Sequence, residues 1–290
     1  MTECVICVGS SGRVGCLVSA FWQRDPESAT RTVLQSRRID SVTDAASLKW
    51  DPMDGSGELC DWVGQYGKLQ AMIVLAGVTP GQGKDLSLNT DIAVACVTAA
   101  AAAGIPRVLV ASSSAVYGAG DGTAFRETSA CQPANAYGEA KLAMEHACHE
   151  HAKADLDVCC LRIGNVAGAD ALLLNVAELG PDEPVVIDTF ADGRGPVRSY
   201  IGPKSLARVL NKLAVHDTVL PPALNIAAPD PISMDALAQA AGQPWTAKPA
   251  HSAAQQSITL DTMLLNEFCS FSREESCPSD MVSQWKETLS

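Results

Sequence analysis

The chain is 290 residues long, 47% hydrophobic and 19% charged, which is enough apolar sequence for a sizeable core and the composition of a water-soluble globular protein. A formal net charge of −12 argues against a nucleic-acid or anionic-membrane partner, since both want a basic footprint. It leaves room for a nucleotide cofactor held by backbone amides at a helix N-terminus.

No apolar run is long enough to span a membrane, and no export signal opens the chain. The eleven cysteines lack the rhythm of a disulfide scaffold and read as reduced thiols in small apolar sites, so a cytoplasmic location is expected. Cys4-x-x-Cys7 lies on a predicted strand with no second C-x-x-C to complete a tetrahedral site, so it reads as core packing and no metal is expected. His146, His149 and His151 do not share one helix face and read as solvated.

In chain order, nearly continuous apolar runs predict strands over Cys4–Val8, Thr32–Gln35, Ala71–Leu75, Arg107–Ala111 and Val158–Arg162, buried on both faces. Helices are predicted over Val14–Arg24, Leu88–Ala103 and Tyr137–Ala152. The alternation implies an α/β fold with an open, doubly wound parallel sheet over residues 1–165. Beyond 165, Pro181, Pro184, Gly193, Gly195 and Pro196 break the rhythm. Residues 166–290 read as a small substrate-binding lobe, with residues 224–228 returning to the sheet as a strand.

Three elements carry chemistry. The first strand empties into Gly9-Ser-Ser-Gly12-Arg13-Val14-Gly15. Gly9 permits a tight turn, Gly12 lets backbone approach a pyrophosphate, and Gly15 lets helix pack on strand. Tyr137 and Lys141 stand four apart on one helix face, with Asn135 placed to cap the helix. A phenol titrates near ~10, and a nearby ammonium would lower that value and make it a usable acid or base. The strand over Val108–Ala111 runs into Ser112, Ser113 and Ser114, at the carboxyl end where ligands sit in such sheets.

Together these elements resemble the extended short-chain dehydrogenase/reductase family, the NAD(P)-dependent sugar epimerases and dehydratases, whose phosphate loop is G-x-x-G-x-x-G. The family's S-S-x-x-V-Y-G block matches Ser112 through Gly118, and its Y-G-x-S-K-x-x-x-E block matches Tyr137 through Glu145 with Ala140 in place of the serine. The likeness continues at Asn89, Leu161–Val166, Arg198–Ile201 and Leu224–Ala227. It implies a Rossmann domain with a small C-terminal lobe, and a homodimer built through a four-helix interface. It makes Tyr137 the general acid/base, Lys141 its pKa-lowering partner and ribose ligand, and Ser113 the hydroxyl that orients the substrate oxygen. It places Gly9, Gly12, Arg13, Val14, Gly15, Ala76 and Gly77 at the dinucleotide, and Ser113, Ser114, Asn165 and Arg198 at the substrate.

The implied cofactor is NADP or NAD. Where NAD-dependent members end the second strand with an acid, this chain has Gln35 and Ser36, followed by Arg37 and Arg38. A guanidinium can pair with a 2′-phosphate, so NADP is the expectation, with Arg37 its main ligand and Arg13 helping. The implied chemistry is hydride transfer at a carbinol or carbonyl carbon of a sugar-type substrate, as an epimerase or an oxidoreductase. Alternatives are an NADP(H)-dependent reductase of a smaller ketone, aldehyde or sugar acid, and a catalytically silent NADPH sensor. A dehydratase would want Asp-Glu where Ser114-Ala115 stands, and a sensor could dispense with the tyrosine and lysine that this chain keeps.

Overall fold

The structure is a computed structural model, and it describes residues 3–24, 30–38, 43–252 and 254–289. From the N-terminus, β1 (Glu3–Val8) leads to α1 (Arg13–Arg24), β2 (Thr30–Ser36) and the short β3 (Ser47–Lys49). Next come α2 (Gly57–Tyr66), β4 (Ala71–Val74), α3 (Leu88–Ala102), β5 (Arg107–Ser113), α4 (Ala136–His151) and β6 (Asp157–Ile163). The chain continues through β7 (Asn165–Val166), α5 (Ala171–Glu178), β8 (Val185–Thr189), β9 (Val197–Arg198), β10 (Tyr200–Ile201), α6 (Pro203–Ala214) and β11 (Ala223–Ile226). It finishes with β12 (Ile232–Ser233), α7 (Met234–Ala241), β13 (Trp245–Pro249), β14 (Ser257–Ile258), α8 (Met263–Phe268) and α9 (Pro278–Glu287).

Seven strands form one parallel sheet in the order β11-β6-β5-β4-β1-β2-β3. Alternate residues of each strand feed two apolar layers. Val5, Ile73, Leu109 and Leu161 face Val18 of α1 and Leu206 and Leu210 of α6. Ile6, Met72, Val108 and Cys160 face Leu59 and Trp62 of α2, Val97 of α3 and Met144 of α4. Covered on both faces, the strands need no polar face, which is why their sequences are nearly continuous apolar runs. This is the doubly wound Rossmann arrangement. The order reverses between β1 and β4, and that switch point opens a crevice at the carboxyl ends of the strands.

The eight elements read from the first 165 residues are all present within a residue or two at their ends, and β11 does return to the sheet beside β6. Two elements there were not read, α2 and β3. The second half is divided between layers. α6 packs beneath the sheet with α1, and Arg107 at the start of β5 ties its end down, donating to the carbonyls of Leu213 at 2.9 Å, His216 at 2.7 Å and Thr218 at 2.6 Å. Short paired strands, β7 with β10, β8 with β13, and β9 between β12 and β14, build the rest beside the crevice.

All eleven cysteines are free thiols, and seven, Cys4 and Cys7 among them, are buried. No helix among the described residues is long and apolar enough to cross a membrane.

Candidate active site

The crevice at the switch point has a volume of about 900 Å³. The glycine loop forms one wall, and its geometry explains the three glycines. Gly9 has φ +86°, and a Cβ there would lie 2.4 Å from the Ala76 nitrogen. A Cβ on Gly15 would lie 2.1 Å from the Gly9 carbonyl oxygen, so only glycine lets α1 start this close to β1. The first amides of α1 have no carbonyl of their own helix to bond, and Arg13 and Val14 line the crevice, which suits them to an anion there.

The Gln35 side chain holds this loop from below. Its Oε1 accepts from the Gly9 amide at 3.0 Å, and its Nε2 donates to the Trp50 carbonyl. Of the two residues that stand where NAD-dependent members have an acid, Gln35 is thus committed beneath the loop, and Ser36 accepts from the Arg38 amide at 3.3 Å. Arg37, Arg38 and Asp51 line the β2 end of the crevice, with Arg37 Nη1 3.5 Å from an Asp51 carboxylate oxygen.

Arg13 departs from its expected helping role at a 2′-phosphate. Its guanidinium donates to the Thr79 hydroxyl on the loop after β4, and its charge bears on Tyr137.

Ser113, Tyr137 and Lys141 converge at the β5 end of the crevice. Ser113 is the last residue of β5 and accepts from the Ala115 amide at 3.2 Å, which starts a single tight turn. Asn135 caps α4 by accepting from the Gly138 amide at 2.9 Å and so places Tyr137 in the first turn. Burial pushes the Tyr137 phenol up, while a hydrogen bond shared with Ser113 and the charge of Arg13 pull it back. Lys141 is one turn further along, its Nζ donating to the Ala111 carbonyl at 2.8 Å, and burial holds it down at about 8. Arg13, on the glycine loop, thus adds its charge to the groups that act on the phenol.

Ala76 and Gly77 line the crevice opposite Lys141. A Cβ on Gly77 would sit 2.7 Å from Asn89 Oδ1 and 3.3 Å from Lys141 Nζ, so glycine there leaves room for both side chains. Buried Asn89 stitches the same loop to α3, accepting from the Val78 amide and donating to the Val78 carbonyl, both at 3.0 Å.

A second cleft of about 410 Å³ adjoins the first, and Ser113 and Asn165 belong to both walls. Ser114 and Arg198 line only the second. Asn165 shares a hydrogen bond with the fully buried Tyr200, whose hydroxyl donates to Asp170 at 3.2 Å. Burial raises Asp170 above the usual carboxylate range, and the same carboxylate caps α5. Among the described residues Arg198 has no carboxylate partner. Its Nη1 donates to the carbonyls of Val197 and Gln256 at 2.7 and 2.8 Å, and its Nη2 to that of Gln255 at 3.1 Å.

Among the described residues, three groups that shape this site were not picked out from the sequence: Thr79, Asp51 and the Asp170–Tyr200 pair. Thr79, Asp51 and Asp170 are lone polar residues between regular elements with no spacing to mark them, and the pairing of Tyr200 on β10 with Asp170 is a tertiary contact.

The family profile described as the NAD dependent epimerase/dehydratase family matches residues 5–180. The chain belongs to that family of enzymes. Over 174 residues it is 31% identical to UDP-glucose 4-epimerase of Azospirillum brasilense, an alignment that takes in 57% of this chain and 50% of the relative. The match thus spans about half the length of that curated relative.

Among solved structures the fold is shared with MoeE5 in complex with UDP-glucose and NAD, at 23% identity and a TM-score of 0.75 over 99% of this chain and all of the other. It is shared equally with UDP-glucose-4-epimerase from Stenotrophomonas maltophila with bound NAD and formylated UDP-arabinopyranose, at 19% identity and a TM-score of 0.77 over 100% and 98%. A third is TunA, an NAD dependent NDP-hexosamine 5,6-dehydratase, at 17% identity and a TM-score of 0.75 over 99% and 97%.

Proposed function

We propose that the protein is a nicotinamide-dinucleotide-dependent epimerase or oxidoreductase that acts at a carbinol or carbonyl carbon of a sugar nucleotide. The observation that carries this reading is the position of Ser113 on the wall shared by the two clefts, hydrogen-bonded to Tyr137 on the wall of the larger one, with Lys141 one turn behind. A dinucleotide suits the larger cleft, with its pyrophosphate beside Gly12 at the amides of Arg13 and Val14 and its nicotinamide ribose at Tyr137 and Lys141. Bound there, the nicotinamide supplies a place for a hydride to go and to return from.

The chain's own residues handle the proton. The Ser113 hydroxyl orients the substrate oxygen, and the Tyr137 phenol removes or returns its proton. The charges of Arg13 and Lys141 favour the phenolate against the burial that opposes it. Asn165, Ser114 and Arg198 would hold the substrate in the smaller cleft. Arg198 is a half-buried cation whose partners are backbone carbonyls, so an anionic group on the substrate would meet a charge not already cancelled.

The choice of dinucleotide turns on the β2 end. Arg37 and Arg38 support the NADP expectation, because a 2′-phosphate could pair with them. Asp51 opposes it, since its carboxylate already lies against Arg37 and would repel that phosphate. The family description and the NAD bound in the MoeE5 and Stenotrophomonas epimerase structures support NAD. We therefore take NAD as the working cofactor.

The test is to purify the protein without nucleotide, identify what denaturation releases, and assay UDP-glucose for conversion to its C4 epimer. Tyr137→Phe should abolish turnover and leave dinucleotide affinity nearly unchanged. Turnover that survives in that variant would remove the tyrosine from the mechanism.

A further inference from the structure

Tyr137, Lys141 and Glu145 stand four apart on α4 and so form one stripe facing the sheet. Each meets a different one of three consecutive residues at the end of β5. Lys141 Nζ donates to the Ala111 carbonyl at 2.8 Å, the Glu145 carboxylate accepts from the Ser112 hydroxyl, and the Tyr137 phenol shares its hydrogen bond with Ser113.

Glu145 does more than touch β5. Ser112 and Arg162 are register partners on β5 and β6, so their side chains stand together on one face of the sheet. Arg162 forks onto the same carboxylate, its Nη2 2.8 Å from Oε2 and its Nε 3.2 Å from each oxygen. The other arm of Arg162 donates to the Tyr117 hydroxyl at 3.0 Å, and that hydroxyl donates to Asn225 Oδ1 on β11 at 2.8 Å. One carboxylate, 3% exposed, thus pins α4 to two strands at once and is linked to a third.

A buried ion pair is a poor stabiliser by itself, because desolvating both charges offsets most of their attraction, and well-packed apolar residues would serve a core as well. What this pair supplies that apolar residues could not is direction. Hydrogen bonds of fixed geometry set how far along β5 the helix sits, and the Tyr137–Ser113 contact tolerates little slip.

We propose that Glu145, acting through Ser112 and Arg162, is a positioning residue that sets the alignment of Tyr137 with Ser113. The inference rests on the role of Ser113 and Tyr137 proposed above, and its test separates the two.

The test uses protein labelled with ¹³Cζ-tyrosine, with Tyr137→Phe to assign the resonance and Ser112→Ala to cut the link while leaving the Glu145–Arg162 pair intact. Tyr137 is faced by Ser113 from β5, Arg13 from the glycine loop and Lys141 on its own helix, and Ser112→Ala changes none of these groups. If the link sets the alignment, Ser112→Ala weakens the Ser113 bond and the Tyr137 titration moves to higher pH. Turnover of UDP-glucose falls by about tenfold, as a small misplacement of reacting groups can cause. NADH affinity, read by fluorescence, stays within about twofold, since only the alignment and not the cofactor site is altered. Ser112→Thr, which keeps the hydroxyl, restores the titration and the turnover.

A Ser112→Ala protein whose Tyr137 titrates as in the wild type overturns the inference, as does a loss of turnover matched by an equal loss of NADH affinity. Glu145→Gln, read the same way, decides the matter if Ser112→Ala does not fold. Turnover by Tyr137→Phe would instead sink the proposed function, and the titration would still judge the alignment.

Discussion

The Lys141 ammonium donates to the Ala111 carbonyl, at 2.8 Å, from a position almost wholly shielded from solvent. A cation so placed has lost most of its hydration, and one backbone carbonyl does not replace it. That deficit is the reason its titration is drawn down to about 8 from an ordinary value of 10.5. Glu145, one turn away, pulls the other way but is largely committed to Arg162.

The sign of the consequence for stability is fixed by this direction. Because the folded form holds the Lys141 proton less tightly than the unfolded chain, the unfolded chain binds more protons between about pH 8 and 10.5. Charged Lys141 therefore costs stability below pH 8, and the cost disappears as pH rises through that window. Thermal or urea unfolding of wild type and Lys141→Met across pH 7 to 11 reads this directly. The wild type should gain on the variant from about pH 8 to 10.5, and a constant gap between them would show that Lys141 titrates normally.

Arg107 makes the opposite kind of buried charge, one that is fully matched. Its Nε pairs with Asp157 at 2.8 Å, and its other nitrogens cap the carbonyls at and beyond the end of α6, as orphaned helix carbonyls require. Replacing it with Met strands Asp157 and those carbonyls together. The expected loss is about 3–5 kcal/mol, the range for breaking a buried pair from one side. Urea denaturation checks it, and hydrogen exchange should show α6 amides opening first.

Two glycine-to-alanine changes should act with opposite signs. In Gly15→Ala the new methyl meets the Gly9 carbonyl oxygen at 2.1 Å, so either α1 retreats or the loop deforms. Stability should drop by about 1–3 kcal/mol, as overpacking typically costs, and NADH affinity should drop with it. Gly64 lies inside α2 with nothing within 4 Å of the position its Cβ would take. Gly64→Ala should stabilise by about 0.5–1 kcal/mol through helix propensity and leave NADH affinity alone. Melting curves paired with fluorescence titrations of the two variants test both signs.

The sheet was legible because it is covered on both faces, which forces nearly continuous apolar runs such as Cys4–Val8 and Val108–Ala111. The triad was legible because Tyr137 and Lys141 share a helix face and Ser113 ends a strand. α6 has a clear apolar face in Leu206, Val209, Leu210 and Leu213, but glycines and prolines on either side concealed that it belongs to the Rossmann layers. Gln35 shows a different limit. Its position at the end of β2 was read correctly, yet the direction of its side chain, beneath the loop to Gly9 and Trp50, is a tertiary fact with no local signature. Asp51 is the same case, since it meets Arg37 only after the chain has passed through β3.

The pairing of Asp51 with Arg37 decides how the protein should treat the two dinucleotides. Both side chains line the β2 end of the crevice, and Arg37 is largely exposed, so the pair itself is worth little to the fold. Its effect on a bound 2′-phosphate is larger in kind: the carboxylate both occupies the guanidinium and repels the incoming dianion. Asp51→Asn removes the repulsion while keeping the size of the side chain and its capacity to accept from the Met53 amide, which Asp51 does at 3.1 Å. NADPH affinity should rise relative to NADH by roughly two- to fivefold, the scale of an exposed ion pair converted to a ratio of dissociation constants. Adding Arg37→Ala should reverse the gain, and fluorescence titration of the three proteins with both nucleotides reads it. An unchanged ratio in Asp51→Asn would mean that the phosphate does not approach Arg37, and the selectivity would then have to come from Ser36 and Arg38.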